Sequence, residues 1–283
     1  MVTVKLIGGL GNQMFQYALG RHLALQNNTV LRLDLSALLD HGPTIQHTFR
    51  NFELPAFAIN CILKDKNRHS IIQRIYDRLI RLKNITETGH SFNAAVLQAR
   101  GNLYLSGYWQ SEKYFEAISS VIRQDFTFKQ PPDAANRQLL EQIKACNAVA
   151  VHFRRGDYIS NPLTNQFHGV CGPAYYRQAI AMMEEKVEGP HYFVFSDEVQ
   201  WVKENFKFTG GHTFVDINHA GKSFEDMRLM SFCKHHIIAN SSFSWWGAWL
   251  GAHPDKTVIA PLNWFNDTVI DTIDMIPEKW IRI

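Results

Sequence analysis

The chain has 283 residues, of which 46% are hydrophobic, 12% aromatic and 19% charged. This length and apolar content predict one or two ordinary globular domains and exclude a disordered or fibrous protein. The formal net charge of +3 is too small to indicate a nucleic-acid partner, so none is predicted, but it suits a small anionic ligand such as a nucleoside diphosphate.

The first strand, helix and second strand of an α/β unit are readable at the start of the chain. Apolar residues predict a strand over 2–7, and helical spacing predicts a helix over 10–26, followed by a strand over 29–35. This order of elements is typical of an α/β fold. Further along, the pattern predicts a strand over 103–109 and a helix over 112–126.

An amphipathic helix is predicted over 70–83. Its apolar side chains share one face, whereas Arg74, Arg78 and Arg81 lie on the other. Two interpretations remain open. The helix either packs on its domain with a solvated basic face, or it makes peripheral contact with the anionic surface of the inner membrane, where a lipid-linked acceptor would be reached.

The second half of the chain alternates between strands and helices. The sequence Gln130-Pro131-Pro132-Asp133 interrupts the chain, and a helix over 134–144 follows it. We place the domain boundary after that helix, which gives an N-terminal α/β domain of residues 1–145 and a C-terminal Rossmann-like domain of residues 146–283. Strands are predicted over 148–154, 191–195, 213–217, 236–239 and 256–260, and helices over 173–187, 198–206, 224–233 and 245–250. The alternation predicts a parallel, doubly wound sheet that binds ligands at the carboxyl ends of its strands.

The sequence also predicts a cytoplasmic location. The first residues lack a basic stretch followed by a long apolar run, so no secretory signal is expected. No run of about 18 apolar residues indicates a membrane span. The four cysteines, at positions 61, 146, 171 and 233, have no Cys-x-x-Cys spacing and are expected to be reduced.

A glycine-rich turn, Gly8-Gly9-Leu10-Gly11, lies between the first strand and the first helix. Glycines at such a place let the backbone approach a ligand closely and expose helix N–H groups to an anion. Asn12 and Gln13 follow the turn and are suited to hydrogen-bond sugar hydroxyls. A dinucleotide fingerprint would need a glycine where Met14 stands, and no Walker lysine follows, so a dehydrogenase is disfavoured. The alternative is an ordinary tight turn.

The segment Val151–Tyr158 brings two adjacent arginines to the end of a strand. Alternation along the strand places His152 and Arg154 on one face. Arginine stays charged and binds phosphate through two N–H groups, so Arg154 is a candidate to stabilise a departing diphosphate. The alternative is a structural pair in which Asp157 holds Arg155, and both arrangements can coexist.

Polar residues near other strand ends are candidates to bind a nucleotide. Ser196 and Asp197 follow strand 191–195, although Asp197 alternatively caps the next helix. Asp226, on helix 224–233, either accepts hydrogen bonds from the N1 and N2 donors of a guanine or is a solvated helix residue. No Asp-x-Asp or His-x-x-x-His pair occurs, so neither a metal nor another cofactor is predicted.

The block Asn240–Trp249 places hydroxyl groups at the start of a helix. Hydroxyls and unpaired N–H groups at a helix N-terminus form a site for an anion such as pyrophosphate. The tryptophans at 245, 246 and 249 are instead expected to lie in the core.

These motifs together resemble those of the bacterial α-1,2-fucosyltransferases, which form glycosyltransferase family eleven. The similarity lies in Gly8–Gln13, His152–Tyr158, Phe195–Asp197 and Asn240–Trp249, and extends over nearly the whole chain. It implies a GT-B-like α/β fold, in which two Rossmann-like domains face each other across a cleft. It also implies an inverting, metal-independent galactoside 2-α-L-fucosyltransferase. The expected partners are GDP-fucose as donor and a galactose-terminated oligosaccharide or glycolipid as acceptor.

The resemblance further implies roles for individual residues. Arg154 is similar to the arginine that contacts the β-phosphate, and His152 to the histidine near guanosine, while Asp226 and Ser242 match positions that contact guanine and phosphate. The N-terminal domain is then the acceptor side and the C-terminal domain binds GDP-fucose. The residues expected to bind the donor are Gly9, Gly11, Asn12, His152, Arg154, Ser196, Asp197, Asp226, Asn240, Ser241, Ser242 and Phe243.

The base that would take the proton of the acceptor hydroxyl remains open. Asp157 and His168 are the two candidates beside Arg154 in the catalytic set, and a dissociative transition state would need no strong base. Two other functions also remain: another fucosyltransferase class (α-1,6 or protein O-fucosyl transfer), or a non-catalytic module that binds a GDP-sugar or a glycan. The block Asn240–Trp249 favours the α-1,2 group, and the presence of all four motifs argues against a module.

Overall fold

The computed structural model describes residues 1–39, 50–64, 82–219, 221–267 and 269–283, without the side chains at positions 157, 160, 163 and 164. It divides the chain into two compact units. Unit 1 comprises Met1–Lys129 and Asp271–Met275, and unit 2 comprises Gln130–Ile270 and Ile276–Ile283. Each unit has its own parallel sheet, which confirms the predicted GT-B-like class with two α/β units.

Unit 1 contains a parallel sheet with the strand order β3-β2-β1-β5-β4 within the described residues. Its strands are β1 (Val2–Lys5), β2 (Leu31–Asp34), β3 (Ile62–Lys64), β4 (Lys83–Thr86) and β5 (Leu103–Ser106). The chain leaves β1 for β2 on one side, whereas β5 pairs with β1 on the other side. The junction of β1 and β5 is therefore the topological switch point of unit 1, the place where open α/β sheets bind ligands.

The helices of unit 1 include one that matches its prediction and one that does not. They are α1 (Leu10–Gln26), α2 (Ala94–Leu97) and α3 (Ser119–Asp125), with 3-10 turns at Leu54–Ala56, Glu112–Tyr114, Glu116–Ile118 and Ile273–Met275. Helix α1 is confirmed at its predicted bounds. The continuous helix predicted over 112–126 is wrong, because Phe115 leaves the helical backbone (φ −140°, ψ 7°) and is buried with its ring centroid 6.2 Å from that of Phe15.

The amphipathic segment predicted over 70–83 lies outside the described residues except for its last two positions. Lys83 is not the end of a helix but the first residue of β4. The contact with a membrane surface therefore stays a prediction. Among the described helices, none is long and apolar enough to cross a bilayer.

Unit 2 contains a parallel sheet with the order β11-β10-β9-β6-β7-β8 within the described residues. Its strands are β6 (Asn147–Phe153), β7 (Pro190–Ser196), β8 (His212–Val215), β9 (His235–Ile237), β10 (Val258–Ala260) and β11 (Ile281–Arg282). The five strands predicted here are confirmed with small shifts at their ends. Strand 256–260 is not the final one, however, because β11 follows it and is too short to show a pattern. The switch point of unit 2 lies between β6 and β9.

Helices cover both faces of the sheet of unit 2. They are α4 (Ala134–Lys144), α5 (Gly156–Ser160), α6 (Pro162–His168), α7 (Pro173–Lys186), α8 (Val199–Asn205), α9 (Ser223–Phe232) and α10 (Ser242–Leu250). Phe153 of β6 stacks on Tyr176 of α7 with ring centroids 3.8 Å apart, whereas Ala150 of β6 belongs to a cluster with helices α4 and α9. Alternate residues of β6 thus point to opposite faces of the sheet, as predicted. The tryptophans at 245, 246 and 249 are buried, which confirms their assignment to the core.

The boundary between the units differs from the one predicted between residues 145 and 146. The structure divides the chain after Lys129, because Leu140 and Ile143 of α4 belong to the same hydrophobic cluster as residues of β6. In addition, Asp271–Met275 returns to unit 1, where Asp274 accepts a hydrogen bond from the N–H of Phe92 and pairs with Lys113. A local sequence pattern carries no signal for such a return.

Candidate active site

The switch point of unit 2 gathers most of the residues predicted to bind the donor. Strands β6 and β9 are neighbours and end at Phe153 and Ile237. His152, Arg154 and the segment 240–243 therefore lie at or just after adjacent strand ends.

Arg154 is held in place by two side chains. Its Nη1 donates to Oδ2 of Asp197 at 2.7 Å, and its guanidinium carbon lies 5.2 Å from the ring centroid of Tyr158. The other carboxylate oxygen of Asp197 accepts from the N–H of Arg155 at 3.0 Å. A cation oriented in this way needs little reorganisation when negative charge develops on a ligand.

Arg155 is braced by a different pair of side chains. Its Nε donates to Oε2 of Glu198 at 3.0 Å, and its guanidinium stacks over Trp201 at 3.2 Å from the ring centroid. Glu198 thus takes the structural role that the sequence suggested for Asp157. The side chain of Asp157 lies outside the described residues, so its catalytic role stays a prediction.

Asp197 does not cap the helix that follows it. Helix α8 begins after Glu198, whose N–H donates to Oγ of Ser196 at 3.0 Å. Gly156 lies so close that a Cβ atom there would be 2.5 Å from Oδ2 of Asp197. Ser196 therefore supports the turn and Asp197 orients Arg154, while their predicted contacts with the donor stay predictions.

His152 is a buried neutral side chain beside Arg154. Burial lowers the pKa of His152 to about 3, and the positive charge of Arg154 acts in the same direction. A neutral imidazole can donate from one ring nitrogen and accept at the other. Among the described residues, no group forms a hydrogen bond with its Nδ1. The Tyr176 hydroxyl donates to the carbonyl of His152 at 3.0 Å, which fixes this end of β6.

Asn240 uses its side chain to hold the end of α6 and the segment around Trp264. Its Nδ2 donates to the carbonyls of His168 at 2.9 Å and Trp264 at 3.2 Å, and its Oδ1 accepts from Sγ of Cys171 at 3.5 Å. The buried amide of Asn240 is thus engaged within the protein, and donor binding by this residue stays a prediction. The residue shapes the site through the two segments that it joins.

The residues after Asn240 form the start of helix α10. Ser241 is buried and its carbonyl accepts from the N–H of Trp245 at 3.0 Å, while Ser242 is the first helical residue. The ring of Phe243 lies 5.8 Å from that of His152. The N–H groups of a first helical turn have no partner within the helix, so this place is chemically suited to an anion.

Tyr158 connects Arg154 with His168, the candidate base. The rings of Tyr158 and His168 stack with centroids 4.7 Å apart and an angle of 11°, and Arg154 lies over the same tyrosine. His168 also contacts Phe265 at 5.5 Å between centroids. The sequence predicted Arg154 and His168 separately but indicated no role for the tyrosine that joins them.

Asp226 lies at one end of a chain of hydrogen bonds and is not a solvated helix residue. Nδ2 of Asn218 donates to its Oδ1 at 2.8 Å, and Asn218 exchanges two hydrogen bonds with Asn136 at 2.8 and 2.9 Å. Burial raises the pKa of Asp226 to about 7; the hydrogen bond from Asn218 opposes the shift, whereas Glu225 and Asp216 add to it. No sequence signal pointed to Asn218 or Asn136.

The glycine turn lies in unit 1, at the end of β1. Gly8 has a φ of +77°, a conformation that side chains rarely adopt, and a Cβ atom there would be 2.5 Å from Nδ2 of Asn12. Gly9 immediately precedes α1, and Gly11 is buried in its first turn. The structure thus confirms a tight turn, and donor binding by Gly9, Gly11 and Asn12 stays a prediction.

Gln13 does not offer its amide to a ligand. It is fully buried, its Nε2 donates to the carbonyls of Gly8 at 2.9 Å and Asn51 at 2.7 Å, and its Oε1 accepts from the N–H of Glu53. The prediction that Gln13 grips sugar hydroxyls is therefore wrong. Asn12 is half-buried, and its Oδ1 accepts from Nε2 of Gln110 at 2.6 Å.

Comparisons with known proteins find the family that the sequence motifs resemble. A family model described as "Glycosyl transferase family 11" matches residues 1–283. The chain is 36% identical over 298 residues to "Alpha-1,2-colitosyltransferase" of Escherichia coli, with 100% of this chain and 99% of the relative covered. It is 31% identical over 157 residues to "Galactoside alpha-(1,2)-fucosyltransferase 1" of Homo sapiens, with 52% of this chain and 43% of the relative covered.

A solved structure shares the fold at low sequence identity. The crystal structure of "POFUT1 in complex with GDP" gives a TM-score of 0.50 at 12% identity, with 91% of this chain and 97% of that chain covered.

Proposed function

Because this chain belongs to glycosyl transferase family 11, we propose that it transfers L-fucose from GDP-β-L-fucose to the 2-hydroxyl of a terminal galactoside, with inversion. The observation that carries the proposal is Arg154, oriented by Asp197 at the switch point of unit 2 beside the neutral His152. The likeness to the human relative, which is named as a galactoside α-1,2-fucosyltransferase, supports the choice of sugar and hydroxyl.

In this reaction the oxygen of the acceptor hydroxyl forms a bond to C1 of fucose. The bond between C1 and the β-phosphate oxygen breaks on the opposite side, so that a β-linked donor gives an α-linked product. GDP leaves with an additional negative charge, and Arg154 stabilises it. The hydroxyl proton passes to a base, for which His168 and Asp157 remain the candidates. His168 contacts the same tyrosine as Arg154.

The donor is proposed to bind on unit 2 and the acceptor on unit 1. On unit 2, the start of α10 and Arg154 would take the diphosphate, while Asp226 would accept hydrogen bonds from N1 and N2 of the guanine. Asn218 holds one carboxylate oxygen of Asp226 at 2.8 Å, which orients the carboxylate.

We expect GDP to bind more tightly as the pH rises from 6 to 8. The pKa of Asp226 is raised to about 7 in the free protein, and the N–H donors of guanine favour the ionised carboxylate, so binding releases a proton. If only the ionised form binds, the Kd should fall about 10-fold over this range. Titration calorimetry at several pH values measures this dependence.

The control is Asp226→Asn, which removes the titrating group and leaves only the pH dependence of the phosphates.

The raised pKa of Asp226 also predicts how the stability of the protein depends on pH. In the unfolded chain the carboxyl ionises near pH 3.8, whereas in the folded protein it ionises near 7. Ionisation of Asp226 therefore lowers the free energy of unfolding progressively as the pH rises from about 4 to 7. For this reason Asp226→Asn should melt at a higher temperature than wild type at pH 8. A variant that keeps the full pH dependence of GDP binding would contradict the assignment.

A second donor is favoured by a specific observation, namely the 36% identity to a relative named as an α-1,2-colitosyltransferase. Colitose is fucose without its 3-hydroxyl group, so a site for one sugar has nearly the shape for the other. Competition between GDP-fucose and GDP-colitose at equal concentrations distinguishes the two donors by the product formed.

The function is tested by GDP release from GDP-fucose with lactose as acceptor, with and without EDTA. We expect release that depends on lactose, that EDTA leaves unchanged, and a product fucosylated at O2 of galactose. No cluster of three or more metal-ligating side chains occurs in the described part of the chain. Activity lost in EDTA would contradict a metal-independent reaction, and tight GDP binding without turnover on any galactoside would contradict the proposed transfer.

A further inference from the structure

The turn after strand β5 lies at the switch point of unit 1. Strand β5 ends at Ser106 beside β1, and the residues that follow are tied to the loop and helix after β1. Nε2 of Gln16 donates to the carbonyl of Gly107 at 3.1 Å, and Nε2 of Gln110 donates to Oδ1 of Asn12 at 2.6 Å. This turn, residues 106–110, thus occupies the position where an open α/β sheet presents groups to a ligand.

The backbone of this turn is held in an unusual conformation. Trp109 has a φ of +58°, which is a genuine outlier for a large side chain. Its indole is buried and packs edge-on against Tyr114 with centroids 5.6 Å apart. Conformations of this kind persist only where the surroundings enforce them, and they cluster at binding and catalytic sites.

Glu87 enforces the conformation. Its two carboxylate oxygens accept from the N–H groups of Tyr108 at 2.6 Å and Trp109 at 2.9 Å. Burial raises the pKa of Glu87, and the two backbone hydrogen bonds counter that shift. Gly107 is required beside it, because a Cβ atom at that position would collide with Cβ of Glu87.

The result is a fixed turn that carries one partly exposed aromatic side chain. Tyr108 is 39% exposed, whereas its neighbour Trp109 is 1% exposed. The amides of Asn12 and Gln110 lie across the same switch point. A partly exposed aromatic side chain with amides nearby matches the chemistry of a sugar, which has an apolar face of C–H groups and hydroxyls at its edge.

We propose that Tyr108 forms an acceptor subsite, in which its ring stacks on the apolar face of the terminal galactose. The C–H groups at C3, C4 and C5 of galactose share one face and would lie on the ring. Glu87 and Gly107 act as positioning residues, since they fix the turn that carries Tyr108. This inference rests on the proposed transfer to a galactoside and names the side chain that recognises the acceptor.

The test compares Tyr108→Ala with Tyr108→Phe in the full chain. We expect Tyr108→Ala to raise the KM for lactose about 10-fold or more and to leave the KM for GDP-fucose within about twofold. Tyr108→Phe keeps the ring and should stay close to wild type. Phe232→Ala removes a ring of similar exposure from unit 2 and should change neither KM.

Three kinetic outcomes would overturn the subsite: an unchanged KM for lactose in Tyr108→Ala, an equal rise in both KM values, or a Tyr108→Phe variant as impaired as Tyr108→Ala. A second readout separates this inference from the transfer reaction itself. Saturation-transfer NMR on lactose without donor should show contacts at H3, H4 and H5 of galactose in wild type, and these should disappear in Tyr108→Ala. Absence of such contacts in wild type would reject the subsite, whereas their presence without turnover would reject only the proposed transfer.

Discussion

Replacing Arg154 with alanine is expected to lower the kcat for lactose-dependent GDP release by about 10³-fold. Removing a single group that stabilises charge in a transition state typically costs about 10²–10³ in kcat. The loss should be at the upper end here, because no metal is proposed to share the charge of the leaving diphosphate. Steady-state kinetics measure the effect, and calorimetry with GDP should show weaker binding as well.

The matched controls use the same motif. Arg154→Lys keeps the positive charge but loses the paired N–H groups that reach Asp197 and a phosphate oxygen, so it should recover only part of the activity. Arg155→Ala removes an arginine that is braced by Glu198 and Trp201, and we expect it to lower the melting temperature more than kcat. If Arg155→Ala lost as much activity as Arg154→Ala, the assignment of Arg154 as the phosphate ligand would fail.

Replacing Asn240 with alanine should lower the free energy of unfolding by about 3 kcal/mol. The substitution removes a buried amide and leaves the carbonyls of His168 and Trp264 without their donor, and each buried unsatisfied group costs about 1–3 kcal/mol. Activity should fall with stability, because Asn240 holds the end of α6, where His168 lies. Denaturant titration gives the stability, and GDP release gives the activity.

Asn240→Asp sharpens this test. An aspartate has the same shape but places an acceptor oxygen against two carbonyl oxygens, so it should be no more stable than the alanine variant. Asn205→Ala is the control, since Asn205 donates to the carbonyl of Trp201 from an exposed position, and its replacement should change stability by less than about 0.5 kcal/mol. If Asn240→Asp were as stable as wild type, the hydrogen bonds donated by the amide would not be what holds the carbonyls of His168 and Trp264 in place.

Long elements rich in apolar residues were predictable from the sequence. Helix α1 begins and ends where its pattern does, and the strands of unit 2 up to β10 follow the alternation of strands and helices. Strand β11 has only two residues and is too short to show a period. The helix over 112–126 failed because Phe115 gains more from burial than from a continuous helix, which is a tertiary effect.

The candidate site was predictable where residues follow adjacent strand ends, because parallel topology alone brings them together. The contacts that hold these residues in place were not predictable. Asn136 and Asn218 are 82 residues apart in the chain, and no local sequence pattern indicates that they pair. Gln13 and Asn240 were assigned to ligands because their side chains are polar, yet both satisfy buried backbone groups, which every fold must pair.

The return of Asp271–Met275 to unit 1 has a consequence for synthesis of the chain. Residues 1–129 emerge from the ribosome first, and domains that are continuous in sequence can fold as they emerge. Unit 1 instead waits for Asp274, which bonds Phe92 and Lys113, until nearly all of unit 2 has been translated. The first unit to begin folding is therefore also the one whose last contacts form only after most of the other unit has been translated.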